Sequence, residues 1–94
     1  MGLKHTIPLM QSADYKERFN AEFWQTRIRY SKLHQMLIKA EAGTLEFEPK
    51  CDLELLRKQK KIMGEYLYIL EVRAEVEGID LELPIEVGVI EDAE

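Results

Sequence analysis

The sequence predicts an all-α protein built on an antiparallel hairpin of two long helices. Two observations carry this prediction: apolar residues recur every three or four positions in two long segments, and a glycine follows each segment. The length of 94 residues allows one small domain at most. We expect residues 1–14 to be irregular, residues 15–78 to form the hairpin and residues 79–94 to form an extended acidic tail.

The first long helix is expected at about residues 15–41. Asp14 followed by Glu17 resembles a capping box, in which the two side chains bind free amides of the first turn. Gly43 suits the left-handed position that follows the last turn. The predicted core seam of this helix is Phe19, Phe23, Thr26, Tyr30, Leu33, Leu37 and Ala40.

The second long helix is expected at about residues 52–77, with Cys51 or Asp52 as its cap and Gly78 at its end. Gly64 in mid-helix is unfavourable by about 1 kcal/mol relative to alanine, which predicts close packing at that point. Its predicted seam is Leu56, Met63, Leu67, Leu70 and Ala74, with Lys60 at a spacing where an apolar residue is missing.

Both helices carry more apolar residues than a two-helix monomer can bury. The surplus of the first helix is Trp24, Ile28 and Met36. The surplus of the second helix is Leu55, Ile62, Tyr66, Tyr68, Ile69, Val72 and Val76. Because one partner helix covers only one stripe, we expect the second stripe to bind another chain, which predicts a homo-oligomeric helical bundle.

The net charge of −5 hides an asymmetry along the chain. Residues 1–61 hold 12 basic and 8 acidic residues, whereas residues 62–94 hold one basic and 10 acidic residues. The net negative charge makes duplex nucleic acid an unlikely partner. Folding the hairpin gathers basic residues of both helices near the loop, where a small anion could bind.

Several classes of protein are excluded by what the sequence contains. A single cysteine allows neither an internal disulfide nor a cysteine-based zinc site, and His5 and His34 stand at no metal-binding spacing. No apolar run reaches the length of a membrane span, and the first residues do not resemble a signal peptide. We find no catalytic motif and expect a protein that is not an enzyme and needs no cofactor or metal.

Arginine and lysine suit phosphate groups, and aromatic rings stack on nucleobases. The candidate phosphate ligands are Arg18, Arg29, Lys32, Arg57 and Lys61. The candidate residues for stacking on a base or lining a pocket are Tyr15, Trp24 and Tyr66. Two simpler interpretations remain open: the charges form solvated faces with weak ion pairs, and Trp24 and Tyr66 belong to an oligomer interface.

Two stretches of the chain are distinctive: Glu-Ala-Gly-Thr-Leu-Glu-Phe-Glu-Pro-Lys-Cys from Glu41, and Arg-Ala-Glu-Val-Glu-Gly-Ile from Arg73. Together with the pattern over about residues 15–81, they resemble a widespread set of small phage and prophage proteins related to a protein of crAss-like phages. Those proteins usually have Asn-Cys-Pro where this chain has Lys-Cys-Asp at positions 50–52, which keeps a cap but changes its chemistry.

In size, helicity and expected oligomerisation the chain also resembles the anti-defence sponges of phages. Those proteins sequester cyclic nucleotide or cyclic ADP-ribose signals of bacterial immunity. The resemblance implies a binding protein without turnover in the cytoplasm of an infected bacterial host, with further copies of itself and a small anionic nucleotide as partners. The alternative is a phage interaction module that binds a host protein through the second apolar stripe.

Overall fold

The computed structural model describes residues 3–81, which form four helical elements and no strand. A 3₁₀ helix spans Leu3–Thr6, α1 spans Ile7–Met10, α2 spans Tyr15–Ala42 and α3 spans Leu53–Glu77. The prediction of an all-α chain is confirmed, and both long helices begin and end within one residue of their expected bounds. Within this part of the chain, no helix is both long enough and apolar enough to cross a membrane.

The ends of α2 follow from the residues that flank it. Asp14 has an extended backbone, and its carboxylate accepts a hydrogen bond of 3.0 Å from the amide of Lys16. After the last turn Gly43 has a φ of 80°, a conformation that residues with a Cβ rarely adopt. The amide of the next residue then donates to the carbonyl of Lys39 at 2.9 Å, which closes the helix.

The two ends of α3 differ in their capping: only the C-terminal end is closed by capping hydrogen bonds. Asp52 is the N-cap residue, but its side chain makes no capping hydrogen bond. At the other end Gly78 has a φ of 70°, and the amide of Ile79 donates to the carbonyl of Ala74 at 2.8 Å. This turn returns the chain to the hairpin, where the side chain of Ile79 is buried.

α2 and α3 pack side by side in antiparallel orientation, which confirms the predicted hairpin. The start of α2 meets the end of α3, where the hydroxyl of Tyr15 donates to Glu77 at 2.9 Å. The end of α2 meets the start of α3, where Arg57 lies 3.4 Å from Glu41. The chain therefore has a connector end, beside residues 43–52, and a far end, beside the start of α2.

The core lies at the far end of the hairpin. Its buried members are Phe19, Phe23, Leu67, Leu70, Ala74 and Ile79. Towards the connector the predicted seam is less well covered: Leu37 is buried, whereas Leu33, Leu56 and Met63 are only half-buried. The far end therefore carries most of the packing, and the connector end is more accessible.

The N-terminal segment differs from the irregular structure expected for residues 1–14. Its described part forms the 3₁₀ helix and α1. Pro8 is compatible with α1 because it stands in the first turn, where a missing amide breaks no helical hydrogen bond. Thr6 and Leu9 are buried, and the side-chain amide of Gln25 donates to the hydroxyl of Thr6 at 3.0 Å. The segment thus packs on α2.

For one of the surplus apolar residues of α2, Ile28, this packing corrects the expectation that it awaits another chain. Ile28 is only 7% exposed, and Trp24 and Met36 are half-buried. Ile28 follows Gln25 by three residues and so shares the helix face that contacts the N-terminal segment. The chain therefore covers Ile28 itself, while the surplus residues of α3 stay exposed.

Only the first residues of the predicted tail are described. Ile79 is buried, Leu81 is half-buried against the core, and the side-chain amide of Asn20 donates to the carbonyl of Asp80 at 2.9 Å. These contacts fasten residues 79–81 to the hairpin. The alternating apolar and acidic pattern of residues 82–94 lies outside the described residues.

Candidate functional site

A groove of about 1120 Å³ lies between the C-terminal half of α2 and residues 57–69 of α3. Its α2 wall consists of Tyr30, His34, Leu37, Ile38, Glu41 and Ala42. Its α3 wall consists of Arg57, Lys60, Lys61, Gly64, Glu65, Tyr68 and Ile69. The groove lies where Lys60 occupies a seam position that a continuous core would fill with an apolar side chain.

Three basic side chains of α3 line this groove. Arg57 donates to Glu54 at 3.1 Å and to Glu41 at 3.4 Å, and its side chain is 41% exposed. Exposed ion pairs contribute little to stability, so an anionic ligand can replace these carboxylates with little loss of free energy. Lys60 and Lys61 form no salt bridge with any of residues 3–81.

Aromatic rings lie on both walls of the groove. Tyr30 and His34 stack on α2, with ring centroids 6.3 Å apart and ring planes inclined by 3°. The ammonium group of Lys60 lies 5.8 Å from the centroid of the Tyr30 ring, within the range of a cation–π interaction. On the α3 wall Tyr68 is 67% exposed. The groove thus offers both positive charge and flat apolar surfaces.

Gly64 determines how closely the two walls approach each other. A Cβ built at this position would lie 3.3 Å from Cε1 of Tyr30, which is tighter than ordinary van der Waals contact. The ring of Tyr30 therefore occupies the space that a side chain at position 64 would need. The close packing predicted at Gly64 is confirmed.

The groove brings together two of the predicted phosphate ligands, Arg57 and Lys61. Arg29 and Lys32 are exposed on α2 but do not line the groove. Arg18 lies near the far end, where its guanidinium donates to a backbone carbonyl of the preceding turn at 3.1 Å. The predicted basic set is therefore spread over different parts of the hairpin.

Tyr15 is engaged at the far end of the hairpin. It donates to Glu77 at 2.9 Å and accepts from Arg73 at 2.8 Å. The hydrogen bond to Glu77 raises the pKa of the Tyr15 hydroxyl above its usual 10.0, because ionisation would break it.

Tyr66 and Trp24 also lie outside the groove lining. Tyr66 bridges the two long helices by donating to Glu22 at 2.8 Å, and this hydrogen bond raises the pKa of the Tyr66 hydroxyl above 10.0. Trp24 is half-buried and packs edge-on against Phe23, with ring centroids 5.1 Å apart. The observed contacts of both side chains are thus structural.

Sequence reasoning missed most of the aromatic lining. The sequence predicts Tyr30 as a core residue, and it predicts neither His34 nor Tyr68 to line a site. The available signal was the combination of Lys60, where the seam lacks an apolar residue, with Gly64 one turn later. Lys60 interrupts the seam, Gly64 admits the Tyr30 ring, and both residues line the groove.

Other reactive groups of the described chain are few. Nδ1 of His34 is buried and has no hydrogen-bond partner within residues 3–81. Over the same range, no group of three or more His, Cys, Asp or Glu side chains lies close enough to hold a metal ion. Cys51 is an exposed free thiol in the connector.

A family model described as Sequestin matches residues 13–76. The matched range is more than two thirds of the chain and contains every residue that lines the groove. Comparisons with curated proteins and with solved structures gave no match.

Proposed function

This chain belongs to the Sequestin family, whose name fits a sequestering protein, and from that premise we propose what it sequesters. The ligand is a small phosphate-bearing signal nucleotide of bacterial anti-phage immunity, of the cyclic nucleotide or cyclic ADP-ribose type. The protein binds it as a homo-oligomer, without catalysis, in the cytoplasm of an infected bacterium. The resemblance to small phage proteins supports this setting.

The groove between α2 and α3 is the observation that carries the proposal. It combines three basic side chains with aromatic rings on both walls, which is the pairing that a nucleotide needs for its phosphate and its base. Its volume of about 1120 Å³ is slightly above the roughly 300–1,000 Å³ that is usual for small-molecule sites, so it can hold a large ligand. A cyclic dinucleotide has the size and charge to occupy such a groove.

The charges of the groove favour an exchangeable anion over a permanent internal partner. Arg57 is held by carboxylates that are themselves largely exposed, and Lys61 pairs with no carboxylate among the described residues. A phosphate can accept from the guanidinium in the bidentate geometry that arginine favours. Tyr30 and Tyr68 would then flank the base.

Calorimetry with a panel of cyclic dinucleotides, cyclic trinucleotides and cyclic ADP-ribose isomers tests the proposal. We expect one class to bind, and Lys61→Ala to weaken its binding roughly 10- to 150-fold, as for loss of a charge-assisted hydrogen bond of about 1.5–3 kcal/mol. Lys58→Ala is the matched control, because Lys58 is an exposed neighbour that does not line the groove. A folded protein that binds no member of the panel would contradict the proposal.

The absence of turnover needs a separate measurement. Bound ligand released by denaturing the complex after long incubation should have its original mass. A product of changed mass, formed in proportion to the protein present, would show that the protein is an enzyme.

A second candidate function is suggested by the exposed apolar residues of α3. These residues would suit a host protein that binds by packing a helix against them. A stoichiometric complex with one purified host protein, combined with no binding of any nucleotide, would favour this function.

A further inference from the structure

Four aliphatic residues of α3 recur at intervals of seven: Leu55, Ile62, Ile69 and Val76. We call them the heptad stripe. Their exposed fractions lie between 53% and 79%, which is high for aliphatic side chains in a small protein. A seven-residue repeat keeps one helix face in contact with a second helix along its whole length.

No contact within the described chain covers this stripe. The hairpin buries a different side of α3, through Leu67, Leu70 and Ala74. The N-terminal segment packs on α2 and makes no comparable contact with α3. Within residues 3–81 the heptad stripe is thus the apolar face that has no partner.

The charges of α3 indicate what the partner is. Residues 53–64 contain four basic residues and one acidic residue, a net charge of +3. Residues 65–77 contain one basic residue and four acidic residues, a net charge of −3. This order opposes the helix macrodipole, which favours acidic residues near the N-terminus and basic residues near the C-terminus.

The other long helix of the hairpin, α2, does not neutralise this charge gradient along α3. The half of α2 beside the basic half of α3 is also basic, since residues 29–42 contain three basic residues and one acidic residue. A helix with the same gradient in the opposite direction would complement α3 along its full length. A second copy of α3, turned antiparallel, is such a helix.

We propose that the heptad stripe binds the same stripe of a second copy of this chain, with the two α3 helices antiparallel. Leu55 of each copy then faces Val76 of the other, and Ile62 faces Ile69, about a two-fold axis midway along the helix. The +3 half of each helix lies beside the −3 half of the other, whereas a parallel arrangement would place like charges together. Over 25 residues, the paired helices are in register for about 37 Å.

This dimer would add a wall to the groove. Its role in ligand binding rests on the proposed function. Ile69 belongs both to the heptad stripe and to the groove lining, and Tyr68 beside it is 67% exposed at the same rim. A second α3 helix packed on the stripe would form a further wall along that rim. Each dimer would contain two such grooves, related by the two-fold axis.

Measuring the mass of the ligand-free protein in solution by light scattering tests the interface independently of any nucleotide. We expect twice the 11.0 kDa of one chain for the wild type and the mass of a single chain for Ile69→Glu. Ile38→Glu is the matched control, because Ile38 is an equally exposed isoleucine on α2, outside the stripe. Circular dichroism checks that both variants keep their helices.

A wild-type monomer, or an Ile38→Glu variant that dissociates as Ile69→Glu does, would overturn the interface. In the first case the stripe does not join two copies of this chain. Because no ligand is present, this failure is distinct from a failure to bind nucleotides, which calorimetry reports separately.

Disulfide trapping tests the antiparallel orientation. In a Cys51→Ser background, Leu55→Cys and Val76→Cys are made separately and oxidised alone or mixed. We expect a 55–76 disulfide in the mixture only, because two copies of position 55 lie about 31 Å apart in the antiparallel dimer, far beyond the reach of a disulfide. Cross-linking of either variant with itself, and no 55–76 species, would show a parallel dimer and overturn the proposal.

Discussion

Gly64 and Tyr30 show how a single residue controls the width of the groove. The missing side chain of Gly64 leaves space for the Tyr30 ring, and the ring in turn supports His34 and lies beneath Lys60. A residue that is unfavourable for helix formation therefore stands where it shapes the groove.

Replacing Gly64 by valine should lower the free energy of unfolding by about 1–3 kcal/mol, because the new side chain overpacks against the ring of Tyr30. Urea denaturation measures the change. Glu65→Val is the control: it places the same β-branched residue at an exposed position next in the helix, and it should change stability far less. Equal losses in the two variants would show that the Tyr30 ring is not responsible.

Tyr66 makes stability depend on pH in the alkaline range. Its raised pKa means that folding favours the protonated hydroxyl, so the contribution is complete below about pH 10 and is lost as pH rises through the raised pKa. Tyr66→Phe should lower stability at neutral pH by less than about 1 kcal/mol, since water competes at this partly exposed site. The difference from wild type should narrow above pH 10.

Denaturant titrations at neutral and alkaline pH measure this difference. Tyr68→Phe controls for loss of a tyrosine hydroxyl, because no hydrogen bond from Tyr68 is found within residues 3–81. A difference for Tyr66→Phe that stays constant with pH would contradict the role assigned to its hydrogen bond with Glu22.

At the scale of the elements, the two long helices could be predicted because their signals are local. Apolar spacing, a capping aspartate and a following glycine each act within one or two turns of the chain. The N-terminal helices could not be predicted in the same way. Pro8 is compatible with a loop or with a first helical turn, and packing against α2 selects the turn.

The two helix caps provide a matched pair of variants. Asp14→Ala should lower the free energy of unfolding by about 1 kcal/mol, because its carboxylate binds the amide of Lys16. Asp52→Ala should have a smaller effect, because the side chain of Asp52 makes no capping hydrogen bond. Thermal or urea denaturation of the two variants compares them, and an equal or larger loss for Asp52→Ala would contradict this interpretation.

The candidate site was predictable only in part. Arg57 and Lys61 could be placed near the connector because an antiparallel hairpin brings the end of one helix to the start of the next. The positions of Tyr15 and Tyr66 depend on hydrogen bonds across the hairpin to Glu77 and Glu22. Such pairs depend on the register between helices, which a single sequence does not specify.

At the scale of the whole molecule, the packing is unevenly distributed between the two ends. The buried cluster lies at the far end, and the groove lies towards the connector among half-buried residues. Regions with few buried apolar contacts open locally at a lower free energy than the whole molecule unfolds. The groove is therefore formed in the less stable part of the fold.

Amide hydrogen exchange should report this difference. Amides of residues 34–41 and 57–61 should exchange faster than those of residues 67–74, whose protection should approach the free energy of global unfolding. A bound nucleotide should slow exchange mainly in the first two ranges. Uniform protection along both helices would contradict the uneven packing described above.

The position of the core also has a consequence for the connector. The contacts that hold the far end join residues distant in sequence: Asn20 binds Asp80 across 60 positions, and Glu22 binds Tyr66 across 44. The entropy of closing a loop rises only with the logarithm of its length, so five residues inserted after Gly43 should reduce stability by less than about 0.5 kcal/mol. Residues 43–52 are thus a place where the chain can change length and composition, beside the groove, while the fold is maintained from the other end.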